Sequence, residues 1–198
     1  MTLTRKGQAT RERILEAATE LIARHGVAGT STEDVRQAAG ISGSQLYHYF
    51  TSKQALIRAV ITRQAEAPLV PGQALMGALD SFDALQAWAD AAIEHQEQSD
   101  GLGQCTLTSL AGELRPADEQ TREDLCSAFH RWQSVLHDGL RAMRERGDLR
   151  PEADLEELSM AMLAALQGGS LLSQTLRTGA PMRASLTAAL AYVRSFAA

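Results

Sequence analysis

The chain reads as an all-α protein, and three observations predict that class. Hydrophobic residues make up 44% of the 198 residues with only five prolines, a composition suited to a helical core. Apolar positions recur at three- and four-residue spacing from segment to segment. No stretch shows the strict alternation of a half-buried strand, and no internal repeat is visible. A chain of this length can make one compact domain or a small domain beside a larger one.

The elements follow in order. The spacing predicts a first helix over about Thr10 to Arg24 that buries Ile14, Ala18, Leu21 and Ile22. Ser31 or Thr30 can cap a short second helix, with Glu33 and Asp34 in its first turn where the helix dipole favours acids. Val35, Ala38 and Ala39 give it a small apolar side, and Gly40 can end it in a left-handed conformation. Ser42 can cap a third helix carrying Ser44, Gln45, Tyr47, His48 and Tyr49, with Leu46 and Phe50 four apart to face inward. A helix anchored by two residues and otherwise lined with hydrogen-bonding groups suits a DNA major groove.

A fourth helix starts at Ser52 or Lys53, uses Leu56, Ala59, Val60 and Ile61, and stops near Ala67, because Pro68, Pro71 and Gly72 mark a loop. A fifth spans about Phe82 to Gln98 with Leu85, Trp88, Ala92 and Ile93 inward, followed by a break at Ser99 to Gly103. A shorter helix runs from about Cys105 to Leu114 and ends at Arg115-Pro116. The longest begins after Pro116 and reaches Arg146, with the stripe Leu125, Phe129, Trp132, Leu136, Leu140 and Met143, and Gly147 and Pro151 close it. The last two cover about Asp154 to Arg177 and Pro181 to Ala197. About nine helices result.

The penultimate helix is apolar on two faces. Leu158, Met162, Ala165, Gly169 and Leu172 lie opposite Leu155, Met160, Leu163 and Leu166, while Leu186, Ala189, Leu190, Val193 and Ala197 line the final helix. Such a helix needs partners on both sides, within the chain or from a second copy. Gly168-Gly169 in mid-helix costs roughly 1 kcal/mol per glycine relative to alanine, which close helix approach can offset.

Several motifs occur in order: RERILEAATELIARHGVAGTS (Arg11 to Ser31), the turn AAGIS (Ala38 to Ser42), LYHYF (Leu46 to Phe50) and SKQAL (Ser52 to Leu56). Together they resemble the DNA-binding helix-turn-helix of the TetR family of bacterial transcriptional repressors, over roughly the first third of the chain. The segment GLGQCTLTSLAGEL (Gly101 to Leu114) resembles the LmrA-like branch, which includes regulators of drug-resistance and flavonoid-metabolism genes.

The resemblance implies a three-helix DNA-binding head at residues 1–66 and a larger ligand-binding and dimerisation body at 67–198. It implies a homodimer built from the last two helices, so that two heads read half-sites of a near-palindromic double-stranded operator roughly 34–36 Å apart. Ser44, Gln45 and His48 are the expected base-edge readers, Gln45 being able to pair bidentately with adenine. Tyr47 and Tyr49 are expected on phosphate, sugar or a thymine methyl, and Ser42 and Gly43 open the same helix. Lys53 matches a family phosphate contact, and Thr32 can donate to phosphate from its hydroxyl and backbone N–H. In the body, Trp88, His95, Leu107, Leu110, Ser109, Phe129, His130, Trp132, Met160, Leu163 and Gln167 are expected to line an apolar pocket for a small hydrophobic or aromatic effector. Its binding shifts the fourth helix and respaces the heads. An activator or corepressor-dependent regulator is the alternative within the family.

Charge is consistent with a DNA-binding head. The net charge is −5, yet residues 1–67 hold nine Lys/Arg against six Asp/Glu (+3) and the remainder 10 against 18 (−8). Arg5, Lys6, Arg11 and Arg13 sit where an arm can follow a phosphate backbone or minor groove. The N-terminus lacks the apolar core of a signal peptide and no run approaches membrane-span length, so a cytoplasmic location without membrane contact is expected. Cys105 and Cys126 form no CxxC pair and are expected as reduced, buried thiols, a redox switch being the alternative. A helical enzyme is the rival class. His130, His137 and Asp138 hint at a metal site but lack a third convergent ligand, and no GxSxG, Walker-A, GxGxxG or HExxH pattern occurs. No cofactor is expected.

Overall fold

The structure is a computed structural model that describes residues 4–67, 79–98, 106–113 and 118–198. Among these residues are nine helices: α1 (Arg5–His25), α2 (Thr32–Ala38), α3 (Gly43–Tyr49), α4 (Lys53–Glu66), α5 (Phe82–Gln98), α6 (Thr106–Gly112), α7 (Glu119–Arg146), α8 (Leu155–Leu176) and α9 (Ala180–Arg194). No strand occurs among them, and the sole β-type pairing is an isolated antiparallel bridge between Leu149 and Ala197. The all-α expectation holds. The expected loop at Pro68, Pro71 and Gly72, the break at Ser99 to Gly103, the stop at Arg115-Pro116 and the placement of Cys105 lie outside the described residues.

The chain forms two compact units, one of residues 1–66 with 106–128 and another of residues 67–105 with 129–198. In the first, α1 begins earlier than its apolar pattern suggests, because Thr4 caps it by accepting from the Gly7 N–H at 3.2 Å. Ile14, Leu15, Ala18 and Ile22 form its buried stripe, and Leu21, expected inside, is only half-buried. Leu15 takes that role because it lies one turn ahead of Ala18 and two turns ahead of Ile22. α4 buries Leu56, Val60, Ile61 and Ala65 and starts under a Ser52 cap, whose Oγ accepts from the Ala55 N–H at 3.1 Å. Arg63 pairs with Glu12 of α1, and Arg58 meets Asp124 of α7 at 2.5 Å. α6 buries Leu107 and Leu110 and packs against α1 and α4.

In the second unit, α8 and α9 pack antiparallel along most of their length. Ser185 Oγ donates to the Ala165 carbonyl at 2.9 Å, and Ser173 Oγ accepts from the Met182 N–H at 3.0 Å. A Cβ on Gly169 would fall 2.9 Å from Met182 Cα, so glycine is what lets the two helices approach. Asp154 caps α8 by accepting from the Glu156 and Glu157 N–H groups at 3.0 and 3.1 Å. α5 runs antiparallel to α9, with Arg183 paired to Glu97 at 2.7 Å and Arg194 stacked over Phe82 at 5.4 Å. The α7 residues Trp132, Leu136, Leu140 and Met143 are buried as their spacing predicts, whereas Phe129 is half-buried.

Three further expectations need correction. Cys126 is exposed rather than buried, because it sits on the outer side of α7, one residue past the buried Leu125. Met160, expected to line a pocket, is likewise exposed, being two residues from each of the buried Leu158 and Met162 on a helix. His130, also expected beside a pocket, is exposed, being two residues from each of the buried Ala128 and Trp132 on α7, and His137 Nδ1 lies 3.9 Å from Asp138. Among the described residues no group of three His, Cys, Asp or Glu could hold an ion, and no helix is long and apolar enough to cross a membrane.

Glycine positions give a direct stability test. A Cβ at Gly139, in the middle of α7, would fall on the Leu79 backbone carbonyl, well inside contact distance. Gly139→Ala and Gly169→Ala are each expected to destabilise by about 1–3 kcal/mol through overpacking, although alanine is the better helix former. Urea unfolding followed by circular dichroism reads this, and a gain in stability for either variant would contradict the packing described.

Candidate nucleic-acid interface

Two short helices and a left-handed turn build the interface. Ser31 caps α2 through a capping box: its Oγ accepts from the Asp34 N–H at 3.1 Å, and the Asp34 carboxylate accepts from the Ser31 N–H at 2.8 Å. Gly40 ends the helix at φ 63°, a conformation that favours glycine. Ser42 then starts α3 with a second box, accepting from the Gln45 N–H at 3.2 Å while Gln45 Oε1 accepts from the Ser42 N–H at 2.9 Å. Val35, Ile41, Leu46 and Phe50 are buried beneath these turns.

The outward side of α3 carries the polar set expected from the sequence. Ser42, Ser44, Gln45, Tyr47 and His48 are exposed, with Tyr47 at 59% of its maximum, while Gly43 and Tyr49 are half-buried. The His48 and Tyr49 rings meet edge-on at 5.1 Å, and Ser44 Oγ lies 3.0 Å from Ser42 Oγ. Thr32 is half-buried in the first turn of α2. Gln45 is therefore both a cap and a candidate reader, and its amide oxygen is engaged in the free chain.

Lys53 is placed differently from a free surface cation. Its Nζ donates to the Val27 carbonyl at 2.6 Å, which ties the start of α4 to the turn between α1 and α2. The same turn is held from its other side by Glu113, at the end of α6, whose two carboxylate oxygens accept from the Val27 and Ala28 N–H groups at 2.8 Å each. Gly26, at φ 71°, leaves the space that carboxylate occupies, since a Cβ there would meet Glu113. Glu113 is a positioning residue that the sequence reading missed: nothing local to it announces a partner 86 residues earlier.

Arg36 was also missed. Its guanidinium donates to the Ile41 carbonyl at 3.1 Å and to Glu33 at 2.7 Å, so it spans α2 and the turn into α3. The Arg36 hydrogen bond, with a smaller one from Gln37, holds the Glu33 carboxyl down at about 2. The hydroxyl and backbone N–H of Ser31 hold Asp34 below the ordinary carboxylate range. Arg11 of α1 stacks over the Phe50 ring at 5.5 Å, fixing the end of α3.

The residues expected around an effector divide between the units. Leu107, Ser109 and Leu110 lie buried on α6 in the first. Trp88, His95, Phe129, His130, Trp132, Met160, Leu163 and Gln167 belong to the second, where Trp88, Trp132 and Leu163 are buried and His95, Phe129 and Gln167 half-buried. Phe129 and Trp132 meet edge-on at 6.3 Å.

Known proteins match both parts. Residues 14–60 match the family model described as bacterial regulatory proteins of the tetR family, and residues 81–187 match the C-terminal domain of LmrA/YxaF-like transcriptional regulators. The chain is 41% identical over 64 residues to the HTH-type transcriptional regulator UidR of Escherichia coli, a match spanning about a third of each protein (32% of this chain, 33% of that one). It is 26% identical over 175 residues to the HTH-type transcriptional regulator LmrA of Bacillus subtilis, covering 87% of this chain and 90% of that regulator. A TetR transcriptional regulator from Chloroflexus aurantiacus superposes with a TM-score of 0.77 at 25% identity, over 98% of both chains.

The depressed carboxyl of Glu33 makes head stability depend on pH. Its folded value, about 2, lies below the ordinary 4.5, so its contribution is complete above 4.5 and is lost as pH falls towards 2. Glu33→Gln is expected to lower the urea midpoint at neutral pH and to flatten the decline between 4.5 and 2. An unchanged acid profile in the variant would remove Glu33 from this role.

Proposed function

The chain belongs to the TetR family of bacterial regulatory proteins, and we propose that it acts as a homodimeric, effector-responsive DNA-binding repressor in the bacterial cytoplasm. The observation that carries this reading is α3. Leu46 and Phe50 fix one side of the helix in the core, and Ser44, Gln45, Tyr47 and His48 stand exposed on it. In a major groove this set supplies hydroxyl, amide, imidazole and phenol groups to base edges and phosphates. On this reading Lys53 exchanges the Val27 carbonyl for a phosphate, and Gln45 frees its amide oxygen when it pairs with a base. Thr32, Ser42 and Gly43 stand at the helix starts, where backbone N–H groups favour phosphate. Residues 1–66 act as the reading head and 67–198 as the body for effector and partner.

The second copy of the chain is the proposed partner of α8 and α9. Met160, Leu171, Leu172 and Leu176 of α8 are exposed in the single chain, an apolar set that water disfavours. Gly168 has nothing within 4 Å of where a Cβ would stand. On α9, Ala184, Thr187, Ala188 and Ala191 line an open groove of about 610 Å³ with Gly179, Arg183 and Glu97 of α5. Exposed apolar side chains on α8 and a groove of small ones on α9 suit a self-complementary interface, and two-fold symmetry would give paired heads for a near-palindrome.

Binding of operator fragments from the DNA flanking the gene, measured across a salt series with and without candidate effectors, tests the reading. Lys53→Ala is expected to weaken all sequences alike and to reduce the salt slope by about one, whereas Gln45→Ala relaxes base preference at one position by about 1–3 kcal/mol. DNA binding without salt dependence would overturn the proposal, and tighter binding with effector would reverse its direction. Leu172→Glu is expected to convert the dimer to monomer in analytical ultracentrifugation, and a dimer unaffected by that charge would place the interface elsewhere.

A further inference from the structure

One peptide group in the first unit joins two opposite charges. The Val27 carbonyl and the Ala28 N–H belong to the same planar unit. Lys53 Nζ donates to that carbonyl at 2.6 Å, and Glu113 Oε2 accepts from that N–H at 2.8 Å. The ammonium and the carboxylate therefore stand at opposite edges of one peptide and are linked through its dipole. Glu113 Oε1 accepts from the neighbouring Val27 N–H at 2.8 Å, so two successive N–H groups close on one anion. Gly26, at φ 71°, leaves room for it, since a Cβ there would stand 3.1 Å from the Glu113 carboxyl carbon. Hydrogen bonds strung along one peptide polarise each other, and charged ends strengthen both. The Val27 carbonyl is thus a stronger acceptor for Lys53 than an ordinary turn carbonyl.

We propose that Glu113 is a positioning residue for Lys53: through the Val27–Ala28 peptide it holds the ammonium on the Val27 carbonyl and sets how readily Lys53 leaves for a DNA phosphate. This rests on the reading of Lys53 as a phosphate contact. The phosphate has to displace a carbonyl whose strength Glu113 controls, so DNA affinity depends on a side chain outside the helices that read bases. The effect is the same for every sequence, because a phosphate contact carries no base information. Glu113 is exposed, so water replaces its carboxylate on the two N–H groups when the charge is removed. The turn then keeps the bond from Thr30 Oγ1 to the Gly26 carbonyl at 2.8 Å.

Glu113→Gln, which keeps the size of the side chain and removes its charge, tests this in the full chain. Lys6 and Lys53 are the only lysines, so acylation of the DNA-free protein by an N-hydroxysuccinimide ester of acetate, read by mass spectrometry, compares Lys53 with an exposed internal reference. The substitution is expected to raise acylation of Lys53 relative to Lys6 about twofold to fivefold. It should tighten binding to operator and to unrelated duplex DNA by a similar factor. In a Lys53→Ala background the same substitution should leave DNA affinity unchanged. An unchanged acylation ratio or weaker DNA binding would overturn the proposal. So would a gain in affinity that survives Lys53→Ala, because that gain would come from the lost negative charge alone. If the parent chain binds no DNA, the phosphate-contact reading fails, and the acylation ratio still decides whether Glu113 holds Lys53.

Discussion

A seven-residue helix does not hold itself together in water, and the two helices that would meet DNA are both that length. Everything proposed for α3 depends on its being held by something other than its own propensity. The capping boxes at Ser31 and Ser42 satisfy N–H groups that short helices otherwise leave open. Val35, Ile41, Leu46 and Phe50 bury their side chains, each worth about 1.5–3 kcal/mol if fully removed from water. Arg36 and Arg11 bridge α3 and its turn to α2 and α1. A backbone held in this way presents the side chains of α3 from a fixed frame, so little backbone entropy is lost when they meet base edges.

The turn between α1 and α2 is the other fixed point. Glu113 takes two of its N–H groups, Lys53 takes one carbonyl, and Thr30 Oγ1 donates to the Gly26 carbonyl at 2.8 Å. Three separate helices therefore converge on one short turn: α1 leads into it, α4 is tied by Lys53 and α6 by Glu113. Both carboxylate oxygens of Glu113 are committed to that turn, so the end of α6 contacts it directly. The turn that leads into α2 is thereby held by a helix from the middle of the chain sequence.

Much of this was legible in the sequence, and the reason is locality. Caps at Ser31 and Ser42, the left-handed Gly40 and the inward pair Leu46 and Phe50 depend on residues within one turn of each other, and all are found as read. The stripe of α7 and the close approach at Gly169 were legible for the same reason. What escaped reading is long-range. The pairing of Glu113 with Val27 and of Lys53 with the same residue joins segments that no periodicity connects, and so does the return of α6 to the first unit. One-turn ambiguities account for other misses: Leu21 and Leu15 fit the same pattern nearly as well, and a stripe containing both Met160 and Leu163 cannot show which one faces solvent.

The preformed recognition helix is the claim on which the account stands, and amide hydrogen exchange of the DNA-free chain tests it most directly. The Leu46 N–H donates to the Ser42 carbonyl at 3.1 Å and the Phe50 N–H to the Leu46 carbonyl at 2.9 Å. Both amides should be protected to a degree close to that of the buried centre of α1. Exchange at the rate of unstructured chain would mean that α3 folds only on its target, and the rigid reader described here would be wrong.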